Sequence, residues 1–158
     1  MTETKCEVER DDVTVELDEI DRSILDELHK DGRLSVSAVA KNVMISRANA
    51  YTRVNRLIEA GVITGFQAKV DPIKSGRTSS AYVMVHTEQV SWQEVRDAVL
   101  AIPEVQHIAL VAGDFDVLVL IRAKDNADLR RVVLTELQSI PQIRGTKTAI
   151  IFEERDLS

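Results

Sequence analysis

Residues 46–61, SRANAYTRVNRLIEAG, spell a helix with both ends marked. Ser46 is a good N-cap, because its hydroxyl oxygen can accept from a backbone N–H that the first turn leaves without a partner. Gly61 stands where a glycine closes a helix. At about 100° per residue, Ala48, Tyr51, Val54 and Ile58 cluster on one side and Asn49, Thr52, Arg53 and Arg56 on the other. The first set is the expected inner face. Arg47, Arg53 and Arg56 all precede the only acid, Glu59. The arginines are therefore expected on a polar face that protein does not cover, without the carboxylates that usually accompany basic residues on a helix surface.

Such a helix is odd in this chain, whose formal net charge is −6 with a pI near 5.1. The charge is unevenly laid out. Residues 1–31 hold 12 acids and 4 bases, residues 33–69 hold 6 bases and Glu59 alone, and residues 70–158 hold 13 acids and 10 bases. The middle segment is a basic island, and local asymmetry of this kind says more about an anionic partner than the overall pI does. A run of arginines by itself is an ordinary solvated face. The island and the segregated polar face together turn the reading toward nucleic acid.

Working outward, the chain of 158 residues is long enough for one domain or two small ones. With 44% hydrophobic and 29% charged residues it has the composition of a soluble globular protein. No apolar run approaches the roughly 20 residues that span a bilayer, and the N-terminus lacks a signal pattern, so a cytoplasmic address is expected. The lone Cys6 excludes a disulfide framework within the chain and a cysteine metal cluster. His29, His86 and His107 have no metal-ligand spacing, and neither a metal nor an organic cofactor is expected.

Residues 1–16 form a polar, aperiodic extension. A helix begins near Asp18, with Ile20, Ile24, Leu25 and Leu28 in one stripe and Gly32 as a left-handed terminator. A second, short helix follows Ser35, with Val36, Val39, Ala40 and Val43 inward, and NVMIS breaks it before Ser46. Three helices with a tight break before the third, followed by the strand-like VITGFQAKVD, make a winged helix-turn-helix over residues 17–64. In that module the third helix enters the major groove of double-stranded DNA. Ser46, Arg47, Asn49, Thr52, Arg53 and Arg56 are the candidate DNA contacts: the arginines suit phosphates or guanine edges, and Asn and Thr can reach bases.

Residues 65–79, with Pro72 and KSGRTSS, read as a hinge strand and linker. Residues 80–158 follow a different pattern. SAYVMVHT (80–87) reads as a strand and Trp92, Val95, Val99 and Ile102 as the inner face of a helix. VQHIALVA (105–112) and FDVLVLIRA (115–123) flank a "GD" hairpin turn. Leu129, Val132, Val133, Leu137 and Ile140 mark a second helix, and IRGTKTAIIF (143–152) a last strand. The order βαββαβ predicts an α+β, ferredoxin-like sandwich with both helices on one face of an antiparallel sheet. The strands are apolar on both sides, so self-association through the open face is expected.

LDEIDRSILDELHKDGRLS, ISRANAYTRVNRLIEAGVITGF and VAGDFDVLVLI, in this order, resemble the Lrp/AsnC, or feast/famine, family of bacterial and archaeal transcription factors, over about Leu17 to Glu153. The resemblance implies a DNA-binding domain joined by a hinge strand to a regulation of amino acid metabolism (RAM) domain. It implies dimers assembling into octamers or other higher homo-oligomers, with a small effector, usually an amino acid, bound between dimers. The family's effector loop falls on Gly113, Asp114, Phe115 and Asp116, and its last-strand threonines on Thr146 and Thr148. Taken alone, these residues read as a plain hairpin turn and ordinary strand formers. His107, Ala109 and Ala112, the last where the family often has Thr, depart from the pattern, so a branched or keto-acid ligand is as open as any one amino acid. Two other functions stay in view. One is an architectural protein that wraps DNA with little sequence preference. The other is a sirohaem-decarboxylase-like enzyme using His107 and Arg122, disfavoured because no dense basic, histidine-bearing pocket is legible.

Overall fold

A computed structural model of the chain describes residues 15–88 and 92–154. Cys6 and nearly all of the acidic extension lie outside the described residues. The chain divides into two compact units, one ending at Ala68 and the other beginning at Lys69.

The first unit is three helices: α1 (Glu19–Lys30), α2 (Val36–Asn42) and α3 (Arg47–Glu59). Asp18 and Asp21 close a reciprocal capping box at the start of α1, and Ser35 and Ser46 cap α2 and α3. Ile24, Val39, Val54 and Leu57 form the core, with Leu17, Ile20, Leu25, Leu28, Leu34, Val43, Ile45, Val62 and Ile63 packed around them. Gly61 adopts the expected left-handed conformation, with φ 69°. Gly32 does not: α1 ends on Asp31 in an extended conformation whose N–H donates to the Glu27 carbonyl, so no left-handed residue is needed there.

Two expectations for this unit are corrected. The buried face of α3 is Ala50, Val54 and Leu57, whereas Tyr51 is 61% and Ile58 44% exposed. The helix carries two overlapping apolar stripes that share Val54, and it is rotated by roughly a quarter turn from the one chosen by periodicity. The strand expected from VITGFQAKVD is absent: Val62 and Ile63 pack on the core, but residues 64–70 pair with no strand among the described residues. A strand is made by its ladder partner, and this sequence has none among the described residues. Phe66, Val70 and Ile73 are left exposed.

The second unit is built from β1 (Ser79–Thr87), α4 (Trp92–Leu100), β2 (Val105–Leu110), β3 (Val117–Ala123), α5 (Asn126–Arg131) and β4 (Ile143–Ile151). Past Arg131 the helix runs on through one wide π turn (Val132–Glu136) and a tight last turn (Leu137–Ser139). The sheet order is β2-β3-β1-β4, antiparallel at each neighbouring pair, as the βαββαβ reading predicts. On one face Ala81, Val83, Val85, Val117, Val119, Ile121 and Ala123 are buried against Val95, Val99, Leu129, Val132, Val133 and Leu137 of the helices. The strands alternate strictly, so Tyr82 and Met84 lie with Leu118 and Leu120 on the open face. The β2–β3 hairpin is wider than a two-residue "GD" turn: residues 111–116 all belong to the loop, closed by the Val111 N–H on the Asp116 carbonyl at 2.9 Å.

Candidate nucleic-acid interface and ligand loop

Two of the three arginines of α3, Arg53 and Arg56, are paired. The Arg53 guanidinium donates from Nη1 to Asp18 at 2.7 Å and Asp21 at 2.8 Å, and from Nε to the Asn49 side chain at 2.9 Å. Arg56 donates from Nη2 to the second oxygen of Asp21. Asp21 is fully buried, and that same oxygen accepts the Asp18 N–H of the capping box at 3.2 Å. The acids come from α1, more than 30 residues upstream in sequence. A window on α3 alone could not reveal them. The rotation of α3 follows the same logic, since it swings Arg53 and Arg56 toward α1 while Ala50 and Leu57 turn inward.

This sorts the six candidate contacts. Asn49, Arg53 and Arg56 belong to an internal polar network. Arg47 is exposed and has no carboxylate partner among the described residues. Thr52 is exposed, with its hydroxyl donating to the Ala48 carbonyl at 3.0 Å, and the Ser46 oxygen accepts the Asn49 N–H at 3.2 Å. Ala48 and Tyr51, which periodicity places on the inner face, are exposed beside them, and Asn55, not among the candidates, is half-buried. Tyr51 was assigned inward by periodicity, and only the true burial of Ala50 and Leu57 shows the error.

The Asp21 N–H, and then the Arg53 side chain, hold the Asp18 carboxyl below its ordinary value of 3.8. A carboxylate favoured only in the folded chain stabilises it fully above that ordinary value and loses the effect as pH falls through the lower folded value. Thermal midpoints measured from pH 7 downward are therefore expected to drop below about pH 4. Asp18→Asn should remove part of that drop, because an amide has no proton to gain. An unchanged acid limb in the variant would contradict the assignment. Glu27, held down by Lys30 and Asn42, and Asp128, held down by Arg131, contribute in the same direction.

In the second unit Gly113 has φ 150°, a conformation suited to glycine at the tip of the β2–β3 loop. Asp116 is a latch. Its N–H donates to the Val85 carbonyl at 3.0 Å, and its carboxylate accepts the Thr87 N–H at 2.7 Å and the Thr87 hydroxyl at 3.4 Å. Phe115 is partly buried, and Asp114 is exposed. Thr146 stands opposite Val85 and Thr148 opposite Val83, so both lie on the helix-covered side of the edge strand β4, where the Gln138 amide donates to Thr146 at 3.2 Å. The loop and Thr146 thus meet at one end of the sheet, one strand apart, which is roughly 10 Å. Thr148 lies one strand repeat, about 7 Å, further along β4. His107 and Arg122 are elsewhere, and Arg122 is engaged by Glu154 at 2.5 Å and Ser80 at 3.2 Å. Among the described residues no group of three acidic, histidine or cysteine side chains could hold a metal, and no helix is long and apolar enough to cross a membrane.

A helix-turn-helix unit followed by a four-stranded sandwich with a latched loop defines a transcriptional regulator that carries a ligand-binding domain. Residues 17–64 match the winged helix-turn-helix DNA-binding model and residues 80–157 the Lrp/AsnC ligand binding domain model. The chain belongs to the Lrp/AsnC family of transcriptional regulators. It is 36% identical over 137 residues, 87% of each chain, to an uncharacterized HTH-type transcriptional regulator of Pyrococcus horikoshii. It is 35% identical over 143 residues, 89% of this chain and 92% of the other, to the proline dehydrogenase transcriptional activator of Rhizobium radiobacter. Among solved structures it superposes on LrpC of B. subtilis with a TM-score of 0.79 at 25% identity, covering 91% of this chain and all of that one.

Proposed function

We propose that the protein binds specific DNA sequences as a homo-oligomer whose assembly or DNA affinity responds to a small effector, an amino acid or a related metabolite. The observation that carries the DNA half is Arg47: exposed at the first turn of α3 with no carboxylate partner among the described residues, and one turn before the exposed Tyr51. Division of labour follows the expected boundaries, with residues 17–64 reading DNA, 65–79 connecting, and 80–158 sensing and assembling. Asp114 is the carboxylate left open to an α-ammonium group, since Asp116 is committed to Thr87. Gly113 permits close approach, and Thr146 and Thr148 supply hydroxyls. The apolar open face bearing Tyr82, Met84, Leu118 and Leu120 is the surface for pairing, from which octamers or other higher forms are built. The protein works where DNA is, in the cytoplasm, and as a regulator rather than an enzyme.

Selection of fragments from a random DNA pool near physiological salt tests the reading, because non-specific phosphate binding is weakened there. An enriched inverted repeat is the expected result, and it supplies the probe for an amino-acid screen. Binding without enrichment would favour the architectural role, and no binding would remove the DNA reading. Arg47→Ala is expected to weaken binding about fivefold and to lower the salt slope by about 0.9, the loss of one neutralised phosphate. An unchanged slope would take Arg47 out of the interface.

A further inference from the structure

We propose that Asp18 is an internal competitor for DNA: in the free protein its carboxylate occupies the Arg53 guanidinium, and a phosphate gains Arg53 only by displacing it. The inference rests on the DNA-binding reading above. Its ground is the unequal placement of the two acids that share Arg53. Asp21 is fully buried and cannot exchange with a ligand, whereas the Asp18 side chain is 52% exposed. Both reach the same nitrogen, at 2.7 Å and 2.8 Å, so Arg53 keeps a fixed counter-ion when Asp18 leaves. The two Asp18 oxygens have separate tasks. Oδ1 accepts the Asp21 N–H at 2.8 Å and caps α1, while Oδ2 takes Arg53. The cap can therefore persist while the ion pair is exchanged.

Charge balance makes the competition matter. Two arginines facing two aspartates form a cluster that is neutral overall, so the flank of α3 that should be most basic shows a polyanion little net charge. Glu16, Arg22 and Arg56 line the same shallow surface hollow as Asp18 and Asp21, which adds one further acid and one further base. Removing the one replaceable carboxylate uncovers one positive charge for phosphate. Asp18 thus holds down affinity for any duplex and leaves base contacts to decide where the protein stays.

The test uses the full chain and a random-sequence duplex of about 30 base pairs, long enough for a two-half-site footprint. Asp18→Asn keeps a competent N-cap and removes the charge. It should bind about tenfold tighter at about 0.1 M salt, with a slope of log affinity against log salt steeper by about 0.9. The gain should vanish when Arg53→Gln is added, because the two positions then no longer interact. Equal affinity and slope for Asp18→Asn and the unsubstituted protein would overturn the inference and leave the DNA reading standing. Weaker binding by a variant whose thermal melt is unchanged would overturn it too, by making Asp18 a residue that positions Arg53 for contact. A gain that survives Arg53→Gln would assign the effect to overall charge and overturn it as well. Failure of both the variant and the unsubstituted protein to bind any duplex would remove the DNA reading and the inference together. Should Asp18→Asn melt early, Asp18→Ser, which also caps, gives the same comparison.

Discussion

Asp21→Ala is expected to cost the N-terminal unit about 3 kcal/mol, enough to consume much of the stability of a small helical unit. One fully buried carboxylate accepts from Arg53, Arg56 and the Asp18 backbone at once. Removing one partner from a buried ionic network strands the others, and the loss usually exceeds the net value of the intact pair. Two features hold the figure near the lower end: Arg56 is 49% exposed and can rehydrate, and Arg53 retains Asp18. Urea unfolding followed by helical signal measures it. A loss below about 1 kcal/mol would mean that the guanidinium groups find solvent as easily as they find Asp21.

A charge at Leu120 should act on assembly and not on the fold. Leu120 lies on β3 between Tyr82 of β1 and His107 of β2, on the sheet face that carries no helix. Its neighbours Val119 and Ile121 point into the core and are untouched. If two copies pair through this face, a carboxylate buried at its centre without a partner should weaken the pairing at least about 100-fold, or about 2.7 kcal/mol. Leu120→Asp would then run as a monomer at concentrations where the unsubstituted chain is associated, with its sandwich still folded. Light scattering decides. An unchanged mass would place the contact elsewhere, and the exposed run containing Phe66, Val70 and Ile73 would be the next surface to alter.

What the sequence announced and what it withheld follow one physical division. Caps and glycines act within a few residues of themselves, so Ser35, Ser46 and Gly61 could be assigned directly. The apolar runs that form β1 and β3, and the turn signals between runs, are equally local, and they lead to the correct βαββαβ order. The face of α3 was different: Ala50 and Tyr51 are adjacent, and only packing against α1 and α2 decides which is inside. The ion pairs from Asp18 and Asp21 cross 32 to 35 residues and have no signature in the helix that receives them. Residues 64–70 show the reverse failure, with the composition of a strand but no ladder among the described residues. In the candidate ligand region, the glycine conformation was readable and the Asp116–Thr87 latch was not, because Thr87 belongs to another strand.

The rotation of α3 also separates two kinds of change that evolution can make. Ala50, Val54 and Leu57, together with Arg53 and Arg56, are bound into the unit, so altering any of them disturbs packing or an ion pair before it alters recognition. Arg47, Ala48, Tyr51 and Thr52 carry no such obligation to the core. With the outward positions reading DNA as proposed, a regulator built this way would acquire a new target by single substitutions there, each close to neutral for folding. Duplicated copies of its gene could thus diverge in what they control without first acquiring compensating stability.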